Sequence, residues 1–525
     1  MATRLALVSV CSVVFLTFLD NTIVSVALAN MQTSLRSGVA SLQWIVDGYV
    51  LAFAALMLTG GTLGDIFGRK KILLLGVAIF CGGSLVCALA NTAHTLVIGR
   101  IVMGVGAAAS EPGTLSLIRQ LYPDARERAR ALGVWTSVSG ISLAAGPVLG
   151  GVLVGLAGWR GIFWFNLGLG ALALVAAAVT LTESSDAAGR SVDLIGLVAG
   201  AAAISAATFA VIKGESAGFA TWWIVALFLA AAAMTVGFVW IERRRADPVL
   251  RLELFRNPTF AVANGVAFAT SFGLFAVFFF TSLYLQVVSH FSGWKIALQF
   301  LAMAVAMAAG GRIAGSWTAS RGPRGSMVVG CALSGVGMLA VDTLLKPSVS
   351  IAALAAALAV AGLGLGLALV AVTAAVLSIV PAERSGMAAS TVNTSRQLGG
   401  VLAVAILGAV VNARLVDTLG TRLTNLGVPS SLKPIVLHAV TNGGLPANAI
   451  AAAAANPVAA LAALTHPGIL GKVLDAAKAS MGNGVHVALL VAAGILLAGA
   501  VASLAAGRGG EPVQRNGGRT AVSDP

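Results

Sequence analysis

Runs of apolar residues, each about 20 residues or longer and so able to cross the ~30 Å core of a bilayer, recur from residue 5 to residue 506. They lie at 5–29, 43–66, 72–91, 95–120, 131–156, 161–182, 194–212, 221–241, 258–287, 295–318, 326–345, 349–379, 385–411 and 485–506, fourteen in all. Only helices suit runs of this length, because a helix satisfies its own backbone hydrogen bonds in lipid, whereas barrel strands alternate over about 10 residues. With 10% charged residues against 58% hydrophobic, the chain cannot cover a water-facing surface either. The fold class is therefore an all-α polytopic membrane protein. The first run resembles a signal peptide in having Arg4 before it and Ala27-Leu28-Ala29 at its end, but its length and Asp20 mark it as a span.

The net charge of +14 raises the question of nucleic acid, and the placement of the charges answers it. Of 33 Lys and Arg, 20 fall in one alternate set of loops and termini, including Arg69 to Lys71, Arg126 to Arg130 and Arg243 to Arg245. The other set has five in its short loops, five in one long segment, and three more lie inside spans. This is the positive-inside asymmetry, which predicts cytoplasmic termini and leaves no basic face for nucleic acid. Trp44, Trp159, Trp222 and Trp223 near the opposite ends suit the membrane interface. The Ala-rich stretch within 412–484 is broken by Asn456-Pro457 and His466-Pro467 and reads as part of an extracytoplasmic loop with short helices.

The organisation predicted is a six-helix bundle over 1–182, two additional helices with linkers over 183–257, a second six-helix bundle over 258–506 that contains the loop 412–484, and a cytoplasmic tail over 507–525. A faint repeat supports two halves: the glycines at 61 and 68 recur with the same spacing at 315 and 322. Repeated halves with a site at their interface are the usual build of secondary transporters.

Ionisable groups inside spans are few. Asp20, beside Asn21, lies in span 1, and Arg100 and Glu111 share one face of span 4, about 16 Å apart. Asp47 stands near the outer end of span 2, and Arg396 midway along span 13. Such groups are costly in lipid and mark a substrate or proton pathway. A carboxyl group kept from water holds a proton more readily, so proton and cargo can compete for one acid. Nothing points to an enzyme. There is no Walker A pattern, the five histidines show no ligand pairing, and the four cysteines lie in apolar runs with no metal or redox spacing. No cofactor or metal is expected.

These residues resemble the major facilitator superfamily, in its fourteen-span drug:proton antiporter branch. Gly61-x-Leu63-Gly64-Asp65-x-x-Gly68-Arg69-Lys70 matches its loop 2–3 signature, Leu19-Asp20-Asn21-Thr22 looks like a first-span signature, and Arg100-x-x-Met103-Gly104-x-Gly106 is similar to a fourth-span signature. Gly140 with Gly146-Pro147-x-x-Gly150-Gly151 resembles the fifth-span pattern of exporters. Met103 stands where glutamine is usual, and the second copy of the loop has Ala319 in the place of Asp65.

The resemblance implies two pseudo-symmetric six-helix bundles plus two extra helices, and a proton-coupled exporter of amphipathic, possibly cationic small molecules working by alternating access. It implies a coupling role for Asp20 and Arg100, and a cytoplasmic gate latched by loop 2–3 with Arg69 meeting Asp124 or Glu127. Gly146, Pro147, Gly150 and Gly151 would kink span 5 and allow tight packing. The expected partners are cargo, protons and the lipid of a bacterial inner (plasma) membrane, with no nucleic acid and no ATPase subunit. The alternatives are a dedicated exporter of an endogenous metabolite, lipid or siderophore and, more remotely, a non-transporting sensor.

Overall fold

The computed structural model describes residues 2–35, 39–184, 194–245, 250–289, 291, 293–346, 348–381, 384–426, 433, 436–437 and 469–506. Within them the chain forms helices α1 (Ala2–Ile23), α2 (Leu28–Leu35), α3 (Val39–Phe67), α4 (Arg69–Ala88), α5 (Ala93–Leu121), α6 (Ala125–Ala157) and α7 (Arg160–Thr180). There follow α8 (Leu194–Ala217) and α9 (Trp222–Arg244), then α10 (Pro258–Val287), α11 (Gly293–Arg321), α12 (Pro323–Leu344), α13 (Ile351–Ile379), α14 (Ser385–Asn425) and α15 (Ile469–Ser503). Thirteen helices are long and apolar enough to span, and α6, bent by 47° between Leu143 and Val148, is the fourteenth when its two limbs count as one. The bend falls at Gly146-Pro147, where proline lacks the N–H that would continue the ladder.

Local chemistry sets the helix starts. Thr92 caps α5, Asp124 caps α6, and Asn257 caps α10 ahead of Pro258. Gly68 and Gly322 precede α4 and α12 with φ of 113° and 78°, a left-handed conformation that glycine adopts without strain. The repeat seen in the sequence is thus a repeat of the same turn.

Helices α1 and α3–α7 pack as one bundle and α10–α15 as another. The halves meet along two equivalent seams, α3 against α14 and α6 against α11. Helices α8 and α9 pack on each other, and α8 also lies against α3 and α14. Only 17% of the span window of α9 is buried, against 72% for α13, so α9 is peripheral and α13 central. Exposed Leu229, Val236 and Trp240 present apolar surface, as a lipid-facing helix must.

The expected loop 412–484 is narrower than the sequence suggested. Helix α14 runs on to Asn425 and α15 begins at Ile469, and the extensions share an apolar cluster of Leu419, Leu423, Val473 and Ala476. Each extension has one apolar stripe that the other covers. Most of 427–468, including the Ala-rich stretch, lies outside the described residues, as do the tail 507–525 and linker residues 185–193.

Candidate functional site

Asp20 and Arg100 meet inside the first half. Arg100 NH1 donates to Asp20 Oδ2 at 2.5 Å, and Asn166 Nδ2 of α7 donates to Asp20 Oδ1 at 2.8 Å. Arg100 Nε donates to the Ile45 carbonyl at 2.9 Å, and the guanidinium carbon lies 4.3 Å from the centre of the Tyr49 ring. Asp20 and Asn166 are 0% exposed and Arg100 1%. The guanidinium of Arg100 is thus spent on a buried ion pair. Removing one partner of such a pair is strongly destabilising, at about 3–5 kcal/mol, because it strands a buried charge. Met103, in place of the usual glutamine, offers its sulfur to Arg100 NH1 at 3.9 Å.

The pair adjoins a joint. After Ile23 the chain tightens into a 3-10 turn, Val24–Ala27. Thr22 Oγ1 donates to the Leu143 carbonyl of α6 at 3.1 Å, next to the bend. A Cβ on Gly146 would meet Thr22 Cβ at 2.8 Å, and one on Gly150 would meet the Ile23 carbonyl at 2.9 Å. These two glycines therefore bring α6 against α1 beside Asp20. Gly140 instead faces Met307 of α11 across the seam. Gly151 has nothing within 4 Å of its would-be Cβ, so it has no part in the tight packing expected of it.

Of the other intramembrane residues, Asn21 donates to its own helix at Thr17 O, 3.0 Å away, and does not touch Asp20. Asp47 is half-buried and its electrostatic neighbour is Lys213 of α8, outside the Asp20 cluster. Glu111 and Arg396 converge from opposite halves. Arg396 NH2 donates to Thr373 Oγ1 at 2.7 Å and to Leu369 O at 3.1 Å, and NH1 donates to Asn393 Oδ1 at 3.2 Å. Glu111 and Arg396 interact electrostatically, and Tyr49 lies within electrostatic reach of Asp20, Arg100 and Glu111. Trp135 Nε1 donates to Thr114 Oγ1 at 3.1 Å, which in turn donates to the Glu111 carbonyl at 2.6 Å.

At the end bearing the basic loops, Asp65 bridges the halves. It accepts from Arg69 Nε at 3.0 Å and NH2 at 2.9 Å, and from the backbone N–H groups of Gly386 and Met387 at 3.0 Å each. Helix α14 has no side-chain cap of its own at Arg384, so a carboxylate from the other half satisfies its first turn. Arg69 pairs with Asp65, and the Asp124 carboxylate caps α6 by accepting from Arg126 and Glu127 N–H. Ala319 has no carboxylate with which to do the same at the second seam, where Gly315 instead lets α11 reach the Ala129 carbonyl, 2.6 Å from its would-be Cβ.

Gly61 gives α3 the same closeness to α14, whereas Gly64 has nothing within 4 Å. Behind them, Lys70 and Lys71 N–H donate to Glu183 at 3.1 Å, and Lys70 Nζ donates to Ala178 O at 2.7 Å, tying the turn to the end of α7. Each hydrogen bond to a charged acceptor is worth about 1.5–3 kcal/mol. Asp65→Ala is therefore expected to shift the closed state toward opening by at least about tenfold. Thiol labelling of Ser390→Cys in the seam, applied from the basic end, measures it.

Three participants escaped the sequence reading. Asn166 and Tyr49 are ordinary residues of apolar runs, distinguishable only by depth. The third is a hydrogen-bonded pair at the opposite end of the molecule. His486 Nδ1 lies 2.6 Å from Asp342 Oδ2, joining α12 to α15 beside a cavity of about 620 Å³ that Arg422, Asp475 and Lys478 also line. The histidines were read as unpaired because 144 residues separate these partners; their common position at span ends was the available signal. Among the described residues no group of three or more His, Cys, Asp or Glu is placed to hold a metal.

Comparison with known proteins agrees with this architecture. The family model described as Major Facilitator Superfamily matches residues 10–404. The chain is 33% identical over 423 residues to the Multidrug resistance protein Stp of Mycobacterium tuberculosis (81% of this chain, 78% of that one). It is 34% identical to the Methylenomycin A resistance protein of Bacillus subtilis (75% and 84% covered) and 31% identical to the Tetracenomycin C resistance and export protein of Streptomyces glaucescens (97% and 92%). A solved structure of a bacterial homolog of the human lysosomal transporter Spinster shares the fold at a TM-score of 0.56 and 18% identity, with 96% of this chain and 98% of that one covered. The chain, a multi-pass membrane protein, belongs to the Major Facilitator Superfamily.

Proposed function

We propose that this protein is a proton-coupled exporter of amphipathic small molecules, exchanging inward-moving protons for outgoing cargo by alternating access. The basic loops and both termini face the cytoplasm, as their charge dictates. The observation that carries the reading is the sealed Asp20–Arg100 pair set against the α1–α6 joint. The names of the relatives, resistance and export proteins, support it.

A proton arriving at Asp20 removes the charge that holds Arg100. Asn166 is ready for the change: its Oδ1 is buried without a partner, so rotation of the amide lets it accept from a protonated Asp20. Released, Arg100 no longer ties α5 to α1. Thr22, two residues from the acid, transmits the loosening to α6, which carries one seam with the second half. The geometry described has the Asp65 latch shut, which corresponds to the state closed toward the cytoplasm.

Everted membrane vesicles test this reading. A pH gradient, acid inside, is expected to drive uptake of members of a broad amphiphile panel, and a protonophore is expected to abolish it. Uptake indifferent to the gradient, or none for any compound, overturns the reading.

A further inference from the structure

The cavity beside Asp342 and His486 belongs to the second half alone, between the ends of α10, α12, α14 and α15 that lie away from the basic loops. It is therefore separate from the Asp20–Arg100 pair, which lies in the first half. Most of its charged lining, Arg422, Asp475, Lys478 and His486, falls beyond residue 404, where the match to the family model ends. At about 620 Å³ it has the size of a small-molecule pocket. Tyr284, Val288 and Leu345 supply an apolar wall.

The charges define the ligand. Arg422 comes from α14, Asp475, Lys478 and His486 from α15, and Asp342 from α12. Of the other helices packed on α12, α10 brings the Tyr284 phenol and α13 has no charged residue. Lys295, near the start of α11, lies over the Phe291 ring. Lys346, Arg414, Asp417 and Lys472 are exposed and do not line the cavity. With His486 neutral, Arg422 and Lys478 face Asp342 and Asp475, and the lining has no net charge. One proton taken up by the Asp342–His486 pair, whichever atom holds it, leaves one positive charge in excess. The His486 side chain is 56% exposed, so that proton can come straight from the adjoining water. Asp475 precedes Lys478 by three residues on one face of α15, so these two offset each other and the excess falls to Arg422.

A guanidinium fork matches a carboxylate in shape, and one excess charge matches a monoanion. We propose that this cavity binds carboxylate-bearing amphiphiles, the carboxylate on Arg422 and the apolar body along Tyr284, Val288 and Leu345, and that a proton on the Asp342–His486 pair strengthens the binding. Carboxylate and proton then load together and leave together, since each raises the affinity for the other.

Calorimetric binding of 2-naphthoate to the purified full chain tests it, with uncharged 2-naphthylmethanol as the control of equal body. Naphthoate is expected to bind at least about tenfold tighter at about pH 5.5 than at about pH 8, and the alcohol weakly and equally at both. Arg422→Gln is expected to weaken naphthoate at least about tenfold at the lower pH. His486→Gln should hold binding at the parent's weak, higher-pH level throughout. Asp342→Asn removes the negative charge at every pH. Its binding at the higher pH should rise to the parent's level at the lower one, a gain that misfolding cannot produce. Equal binding of naphthoate by the parent at the two pH values overturns the proposal, and so does absence of binding at both. Binding that Arg422→Gln leaves intact also overturns it, the result expected if the amphiphile enters between the halves instead. Export is tested separately, by the pH-driven flux of the broad panel.

Discussion

Asp20→Asn is expected to lower pH-driven efflux at least about a hundredfold, the loss of about 2.7 kcal/mol of coupling. The amide keeps the shape of the carboxylate and has an acceptor for Arg100. Rotation of Asn166 presents its unpartnered Oδ1 to the new N–H, so the hydrogen bonds can be rebuilt. What cannot be rebuilt is the charge. The variant has no proton to take up at residue 20, and it leaves a cation buried with its counter-ion gone. That second effect also predicts a lowered Tm, by several degrees or more. Asp20→Asn combined with Arg100→Gln removes both charges and separates the two consequences. Thermal stability should recover toward the parent, while uphill transport should not. Near-parental uphill efflux in Asp20→Asn removes Asp20 from the coupling mechanism, and recovery of efflux in the double variant assigns the pair a purely structural role.

The sequence carried the spans well, because a run of 20 apolar residues has few other fates. It also carried the identity of the unusual residues, since a charge in such a run stands out wherever it sits. Partnership was beyond it. Asp20 and Arg100 are 80 residues apart, and Asp342 and His486 are 144 apart. Neither separation contains any information until the helices are packed. The same limit explains Glu111 and Arg396, which are single charges on two helices until the halves face each other. Asn166 was invisible for a different reason: asparagine within an apolar run looks like tolerated polarity, and only its donation to Asp20 gives it a task. Residues 412–425 and 469–484 failed in the opposite sense. They were grouped with the interrupted Ala-rich stretch as one loop, yet α14 and α15 continue through them because each supplies the surface that covers the other's apolar stripe.

Gly61→Val should leave the fold intact and stop transport, and Gly83→Val should do the reverse damage. Both glycines sit where helices touch, and in both a Cβ would come too close to main-chain atoms. For Gly61 the nearest are the Gly386 carbonyl and Ser390 Cβ, each at 2.6 Å; for Gly83 they are Met103 N at 2.7 Å and the Gly99 carbonyl at 2.8 Å. The difference lies in which bodies collide. Gly83 joins α4 to α5 within one half, a contact kept throughout a rocking cycle, so its clash burdens every state. Overpacking of that kind costs about 1–3 kcal/mol of stability.

Gly61 joins α3 to α14 across a seam that, on the alternating-access reading proposed above, parts whenever the cytoplasmic side opens. Its clash burdens one state alone, and the same 1–3 kcal/mol becomes a shift of about 5- to 150-fold toward the open form. The expected outcome is a Gly61→Val protein with parental Tm, pH-driven transport reduced at least about tenfold, and Ser390→Cys labelled rapidly from the cytoplasmic face. The Gly83→Val protein should melt earlier, with labelling at that position unchanged in its folded fraction. A Tm loss in Gly61→Val as large as that in Gly83→Val would falsify the view that the α3–α14 contact is made and broken during transport, for it would mean that the seam is permanent core.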